Sequence, residues 1–334
     1  MNHLRLAVED TSQVAEARRA AVAMARSLGF DETQAGTVAL AVTEAATNLI
    51  KHAGGGEILA ARLERAGVPG MDFYVIDRGP GIANVAASLR DGQSSAGSPG
   101  LGLGSLKRMT SGFDAYTQRG KGTVLHFEIW PKAPAQPRRR GVEARGLCVA
   151  KRGESVSGDT WLVCEAQGRT VLLVADGLGH GPDAAAAAAA ARKFVWDHPD
   201  REPAELIDGL HRALRSTRGA AAAVAAIKAA SGVGAFSGVG NIACVVRANG
   251  ASRRLVSHNG TLGHAMRKIQ EFSFPFPAGA LLIACSDGIA TRWDVADYPG
   301  LENRSPAIIA GVVYRDHERG RDDATVAVVR NAAD

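Results

Sequence analysis

The sequence predicts an α+β chain of two domains, and three observations carry that prediction. Two amphipathic helical patterns, roughly Thr11 to Leu28 and Glu32 to His52, precede strand-like runs at Ile58–Glu64, Asp72–Ile76 and Thr123–Trp130. A second half is richer in strands, with apolar runs at Thr160–Glu165, Thr170–Ala175, Val224–Lys228, Asn241–Arg247, Ala280–Cys285 and Thr325–Val329. Between them, residues 131–141 read PKAPAQPRRRG, with three prolines, three consecutive arginines and almost nothing to bury. At roughly 100–200 residues per domain, a chain of 334 agrees with a domain over 1–130, a linker over 131–141 and a domain over 142–334.

Each element has a local cause. The first helix stops at Gly29 and the second at the run Gly54-Gly55-Gly56, where glycine accepts the left-handed cap. Two helices on one face of a mixed sheet is the natural layering for the first domain. In the second, Ala184–Ala191 is a continuous alanine run. The helix propensity of alanine and the flanking Arg192, Lys193 and Phe194 predict a tightly packed helix there.

Composition excludes several classes. Hydrophobic residues are 46%, enough for ordinary cores, and 39 Lys+Arg against 34 Asp+Glu leaves a charge of only +5. That excess argues against a dedicated nucleic-acid binder, and Arg138–Arg140 reads as a solvated charge run. No apolar stretch approaches the ~20 residues a membrane helix needs. The N-terminus lacks a signal-peptide core, so a soluble cytoplasmic protein is expected. Cys148, Cys164, Cys244 and Cys285 are far apart, and their spacing indicates neither a disulfide framework nor a zinc site. Glycine is abundant, at 39 residues, and its placement is what matters.

In the first domain, Glu44 and Asn48 lie i, i+4 on one helix face, with Lys51 and His52 a turn further on. The strand MDFYVI runs into Asp77-Arg78-Gly79-Pro80-Gly81, a carboxylate at a strand end followed by a tight turn. A polar loop, Gly92–Pro99, leads into Gly100-Leu101-Gly102-Leu103-Gly104 ahead of a helical pattern, and Gly120-Lys121-Gly122-Thr123 opens the closing strand. Glycines before a helix let backbone N–H groups approach phosphate. Any one of these signals is weak; E-x-x-x-N, D-x-G-x-G, G-x-G-x-G and G-T in order are specific.

This set resembles the GHKL (Bergerat) ATP-binding family, in the form of the RsbT/RsbW-type anti-sigma and switch serine kinases. TEAATNLIKHAGGGEI, DRGPGI and GLGLGSLKRMTSGFDAYTQRGKGT carry the resemblance, which spans nearly all of residues 1–130. It implies an α/β sandwich binding ATP and Mg²⁺. Asp77 would accept from the adenine amino group, Asn48 would ligate Mg²⁺, and Glu44 would be the general base. Gly79 and Gly81 would thin the adenine floor, Gly100, Gly102 and Gly104 would wrap the phosphates beside Lys51, and Thr123 would back up Asp77. Sensor histidine kinases share the pocket but need an acceptor histidine on a helical segment, and only His3 precedes Glu44. The gyrase and chaperone ATPases need transducer domains that are not recognisable here. Ser111–Phe113 lacks the acidic residue of the RsbT pattern, which bears on substrate docking rather than on ATP.

In the second domain carboxylates recur at the ends of apolar runs: Ser157-Gly158-Asp159, Asp176-Gly177 before Leu178-Gly179-His180-Gly181, Ser286-Asp287-Gly288, and Asp322-Asp323-Ala324-Thr325. Four acidic sites, three beside glycine, suggest convergent hard oxygen ligands suited to Mg²⁺ or Mn²⁺. The order SGD, DGLGHGPDAA, GVGNI, CSDGI, DDATV resembles the SpoIIE-type metal-dependent phosphatases of the PPM superfamily, in the compact RsbX form. That resemblance implies an α-β-β-α sandwich and hydrolysis at two metals without a phosphoenzyme. Asp176 would bridge the ions, the Gly177 carbonyl would touch one, and Asp159, Asp287 and Asp322 would complete the set. Asp322 is preferred to Asp323 as the first position of D-x-x-T. His180 is either a general acid or a turn histidine. GDTWLV lacks the second acidic residue of larger relatives.

Together the two resemblances imply a bifunctional partner-switching regulator. A Ser/Thr kinase of a STAS-domain protein (RsbS/RsbR-like) is tethered to the phosphatase that reverses the mark, in stress or sigma-factor signalling. The alternative is an ATP-binding interaction module controlling a phosphatase that is the only active enzyme. Homodimer formation stays open at this stage.

Overall fold

The computed structural model describes residues 2–85, 89, 102–134 and 141–332. It divides into two compact units, His3–Pro137 and a second holding Arg138–Asp334 with the first two residues. The expected linker arginines Arg138–Arg140, the loop Gly92–Pro99 and Gly100 lie outside the described residues.

The first unit is one five-stranded sheet under two long helices. Its strands are β1 (Leu4–Val8), β2 (Gly56–Arg65), β3 (Val68–Ile76), β4 (Ser111–Gln118) and β5 (Gly122–Ile129), in the order β1-β2-β3-β5-β4. Every pairing is antiparallel, so the expected mixed sheet is corrected. The reason is local: β2 and β3 are joined by Ala66-Gly67, both left-handed (φ 51° and 75°), the two-residue turn that makes a hairpin. Helices α1 (Thr11–Ser27) and α2 (Glu32–Asn48) each open on a capping box, Asp10 with Gln13 and Asp31 with Gln34. Their small inner faces, Ala17, Ala21, Ala25 and Val38, Ala41, Val42, Ala45, Ala46, sit on Ile58, Ala60, Phe73, Val75, Leu125 and Phe127. The helix predicted to reach His52 is regular only to Asn48. A π turn, Leu49–Ala53, follows and is closed by left-handed Gly54. Helix α3 (Leu103–Met109) lies between β3 and β4 in the chain.

The second unit is two five-stranded antiparallel sheets with helices outside them. One sheet runs β15-β10-β9-β8-β7 and the other β12-β11-β16-β17-β6. Their strands are β6 (Val142–Val149), β7 (Asp159–Ala166), β8 (Arg169–Gly177), β9 (Ala220–Lys228), β10 (Val233–Val239), β11 (Ala243–Ala248), β12 (Ala251–Leu255), β15 (Phe272–Pro275), β16 (Leu281–Cys285) and β17 (Ala324–Asn331), with a two-residue pair β13 (Gly260–Thr261) and β14 (Ala265–Met266) beside them. Left-handed pairs recur at Gln167-Gly168 and Asn249-Gly250, closing the β7–β8 and β11–β12 hairpins. Leu172, Val174, Ala223 and Phe236 of one sheet meet Cys244, Val246, Leu282 and Val329 of the other in the inner core. Helix α4 (Pro182–Asp197), which holds the alanine run, and α5 (Pro203–Ala213) cover the outer face through Ala191, Val195, Leu206 and Leu210. Helix α6 (Pro306–His317) is buried from Pro306 to Arg315 and packs on β6 and β17. An α-β-β-α sandwich results.

Candidate active sites

In the first unit the site is built where α2 ends beside the ends of β3 and β5. One turn apart on α2, Asn48 donates its Nδ2 to Glu44 Oε1 at 3.1 Å. That leaves the amide oxygen of Asn48 as its acceptor atom for a cation. Burial pushes the Glu44 carboxyl above the usual carboxylate range, against the opposing pull of the Asn48 amide, Lys51 and His52. Asp77 leaves β3 with its Oδ1 fixed by two backbone donors, Gly79 N at 2.8 Å and Thr123 N at 3.2 Å. The orientation of its carboxylate is therefore set by the turn and by the closing strand. The glycines have measurable causes. A Cβ on Gly79 would lie 2.7 Å from Ala53 Cα, and Gly81 takes φ +77° with the Gln118 carbonyl 2.7 Å from where its Cβ would be. Gly102 precedes α3 in an extended conformation and Gly104 is buried within it.

Glu44, Asn48, Asp77, Gly79, Gly81 and Thr123 thus lie on elements that converge, whereas Lys51 is exposed on the π turn. Sequence reasoning missed Thr117 on β4. Its hydroxyl accepts from Ile82 N at 2.8 Å and lies 3.3 Å from Thr123 Oγ1, tying the loop after Asp77 to two strands. No spacing rule marks it, because β4 itself went unread.

The second unit brings the predicted carboxylates together at one edge of the sandwich. Asp159 begins β7 and Asp176 stands near the end of β8, directly opposite it in register. Asp287 follows β16, and Asp322 and Asp323 precede β17 of the other sheet. Close approach is enforced by glycine: a Cβ on Gly177 would collide with the Ala184 carbonyl, and one on Gly288 with the Asp323 carbonyl. Burial and the charges of Asp159, Asp287, Asp322 and Asp323 push the Asp176 carboxyl up to about 9. Burial also pushes Asp159 up to about 7; the Ser286 hydroxyl opposes this, and Asp323 and Asp287 add to it. Asp287 is raised by burial and by Asp322, against Arg319, Asn241 and Arg321. Carboxylates that raise one another in an all-oxygen cluster are the donor set a hard divalent cation satisfies.

The two adjacent aspartates differ in their partners. Asp323 is 3% exposed and accepts from Lys151 N at 2.7 Å and Gly158 N at 2.8 Å, which anchors two loops. Asp322 is half-buried, and its Oδ1 accepts from Asp323 N at 2.9 Å. Three further residues escaped the sequence reading. Ser286 donates to Asp159 Oδ2 at 2.6 Å and accepts from Thr325 N at 2.9 Å, linking the sheets. Asn241, within GVGNI, donates to Asp287 Oδ2 at 2.8 Å. Glu154 Oε1 lies 2.6 Å from His180 Nδ1 and fixes one nitrogen of that exposed ring. A serine beside a ligand aspartate carries no sequence signal apart from that adjacency.

The two units match different families. Residues 7–129 match the histidine kinase-like ATPase domain, and residues 166–331 match the Stage II sporulation protein E (SpoIIE) family. Over 117 residues the chain is 30% identical to the serine/threonine-protein kinase RsbT of Bacillus subtilis (strain 168), covering 35% of this chain and 88% of RsbT. Over 140 residues it is 25% identical to the phosphoserine phosphatase RsbX of the same organism, covering 42% of this chain and 70% of RsbX. A structure of RsbX in complex with magnesium superposes with a TM-score of 0.53 at 21% identity, over 58% of this chain and 98% of that one. A chain from a structure described as the bacterial stressosome, a modular system adapted to control secondary messenger signaling, gives 0.53 at 28% identity, over 57% and 99%. The chain therefore belongs to the histidine kinase-like ATPase family in its first unit, of the RsbT kind, and to the SpoIIE-type PPM phosphatases in its second. Among the described residues no helix is long and apolar enough to cross a membrane.

Proposed function

We propose that this chain is a bifunctional partner-switching regulator: an ATP-dependent Ser/Thr kinase of a STAS-domain protein joined to the metal-dependent phosphatase that removes the phosphate, in stress or sigma-factor signalling. The carrying observation is that one chain holds both constellations, Glu44–Asn48–Asp77 and Asp159–Asp176–Asp287–Asp322. The stressosome likeness and the two relatives support the pathway.

In the kinase direction, Asp77 accepts from the adenine amino group, since its second oxygen is aimed by the fixed Oδ1. Gly102 and Gly104 would let the backbone approach the phosphates, and Asn48 would offer its amide oxygen to Mg²⁺. Glu44, raised by burial, takes the proton of the attacking seryl or threonyl hydroxyl as oxygen bonds to the γ-phosphorus and ADP leaves.

In the phosphatase direction, Asp159, Asp176, Asp287, Asp322 and the Gly177 carbonyl would hold two Mn²⁺ or Mg²⁺ ions. Those ions supply charge to the phosphate oxygens and lower the pKa of the attacking water. Ser286 and Asn241 keep Asp159 and Asp287 facing the site, and Asp323 holds the loops around it. Tethering raises the effective concentration of each activity at a shared partner.

The experiment is transfer from γ-labelled ATP to STAS-domain partners, scored beside manganese-dependent release of phosphate from the product. Transfer lost in Glu44→Ala and release lost in Asp176→Asn support the reading. Release without transfer to any tightly bound partner leaves the first unit as an ATP-shaped interaction module.

A further inference from the structure

The face of the first sheet turned away from α1 and α2 carries a second cluster of ligating side chains that the kinase site does not use. His3, just ahead of β1, Asp72 on β3, and His126 and Glu128 on β5 are all buried, none more than 3% exposed. Their convergence follows from register. Asp72 pairs with Glu128 on one side and with Ala61 on the other. Because residue 61 is small, His3 reaches over it, and its Nε2 lies 3.2 Å from Asp72 Oδ2. His126 approaches along the diagonal, with Nε2 2.7 Å from Asp72 Oδ1. One ligand atom each from Asp72, His126 and Glu128 falls within a 4.8 Å span.

Charge makes this arrangement unusual. Carboxylates directly opposite on one face of an antiparallel pair repel, and burial strengthens the repulsion. Glu128 has a fixed cation, Arg65 Nη2 at 3.1 Å, and also accepts from Trp130 Nε1 at 2.9 Å. Asp72 has the two imidazoles. A divalent cation held among these ligands would offset the repulsion between the two carboxylates.

The geometry points to a metal: we propose that His3, Asp72, His126 and Glu128 form a structural site for a divalent transition cation, zinc foremost. One imidazole nitrogen and two carboxylate oxygens already lie within 4.8 Å of one another, and the second imidazole is one hydrogen bond away at Asp72; together they offer the nitrogen and oxygen ligand types of a structural zinc site. Two rings that present the same atom, Nε2, to one carboxylate are also already turned toward a shared point. On binding, each Nε2 gives its hydrogen-bonding role at Asp72 to the ion, and each ring carries its proton on Nδ1. The ion pins the segment before β1 to β3 and β5. Magnesium, which the nucleotide and phosphatase sites take, is excluded by the imidazoles.

The test uses the full chain carrying Asp176→Asn, which disables the oxygen-only cluster of the second unit. The protein is loaded with zinc, passed through chelator and gel filtration, and its zinc counted by mass spectrometry. The expected result is about one zinc per chain, with affinity falling by at least about 100-fold, beyond the loss of an outer-shell partner, in His126→Gln and in His3→Ala. Zinc-edge absorption on the Asp176→Asn chain requires no further substitution, so a misfolded variant does not decide the matter. Two imidazole nitrogens in the shell support the site. An all-oxygen shell, no retained zinc, or retention indifferent to His126→Gln overturns it. A melting temperature indifferent to zinc also overturns it.

Discussion

Asp176→Asn should abolish phosphatase turnover and yet raise the melting temperature of the metal-free protein. Asp176 faces Asp159 in register and feels Asp287, Asp322 and Asp323, and burial with these charges holds its carboxyl up to about 9. At pH 7 the fold keeps a proton that an unfolded carboxyl releases near 3.8. At about 1.4 kcal/mol per pH unit, the full penalty is of order 4 kcal/mol. Protons shared among the cluster and partial solvent access reduce this to about 1–3 kcal/mol, the scale on which removing a buried charge stabilises. That corresponds to a rise of about 3–9 °C for a unit of this size. The sign can be checked with pH. A carboxyl raised in the folded state contributes no penalty below 3.8, and its penalty grows as pH rises toward about 9. In chelator, the advantage of the variant over the wild type should therefore widen from pH 5 to pH 9. In manganese the order should reverse, because only the wild type gains from binding the ion. The assay is a thermal melt followed by circular dichroism with and without chelator. A variant that melts at or below the wild type in chelator at pH 8 would refute the reasoning.

Four further outcomes follow from the same geometry. Glu44→Gln should retain ATP binding, measured by calorimetry, while phosphoryl transfer falls about 10²–10⁴-fold, the usual contribution of a general base. Asp322→Asn should weaken manganese affinity with little change in the melt, whereas Asp323→Ala should lower stability by about 1–3 kcal/mol by orphaning two backbone donors, the buried Gly158 N and the half-buried Lys151 N; denaturant titration beside metal titration separates them. Ser286→Ala removes the hydroxyl between Asp159 and Thr325 N, and should lower both stability and metal affinity in the same two titrations. Gly81→Ala should weaken nucleotide binding and lower the melt, because φ +77° and the nearby Gln118 carbonyl leave no room for a methyl.

Much of the site was legible because its chemistry demands particular residue types at strand ends. Asp77, Asp159, Asp176 and Asp287 each stand at or beside the end of an apolar run with a glycine within two residues, and both signals are visible in one dimension. The two long helices of the first unit were legible from their periodicity, with a local exception: the π turn at Leu49–Ala53 replaces the regular turn expected there; helices α5 and α6 went unread. What escaped was whatever depends on partners distant in sequence. Strand β10 reads as glycine-rich loop, yet Gly234 is small because the Phe274 ring of β15 lies over it. Strand β4 begins with the irregular Ser111–Asp114 stretch, so its alternation is broken where it would be read. The antiparallel sheet of the first unit depended on the Ala66-Gly67 pair, a weaker hairpin signal than Asn-Gly. The separate duties of Asp322 and Asp323 were decided by backbone donors more than a hundred residues away.

The phosphatase carboxylates come from two different sheets, Asp159 and Asp176 from one and Asp287 and Asp322 from the other. Ions held among them would act as rivets through that edge of the sandwich, and without them the same edge is where like charges would prise the layers apart. The lifetime of the unit against proteolysis would thereby be tied to the divalent ion supply of its surroundings. A chain deprived of those ions would lose activity first and then, by opening along this edge, its own persistence.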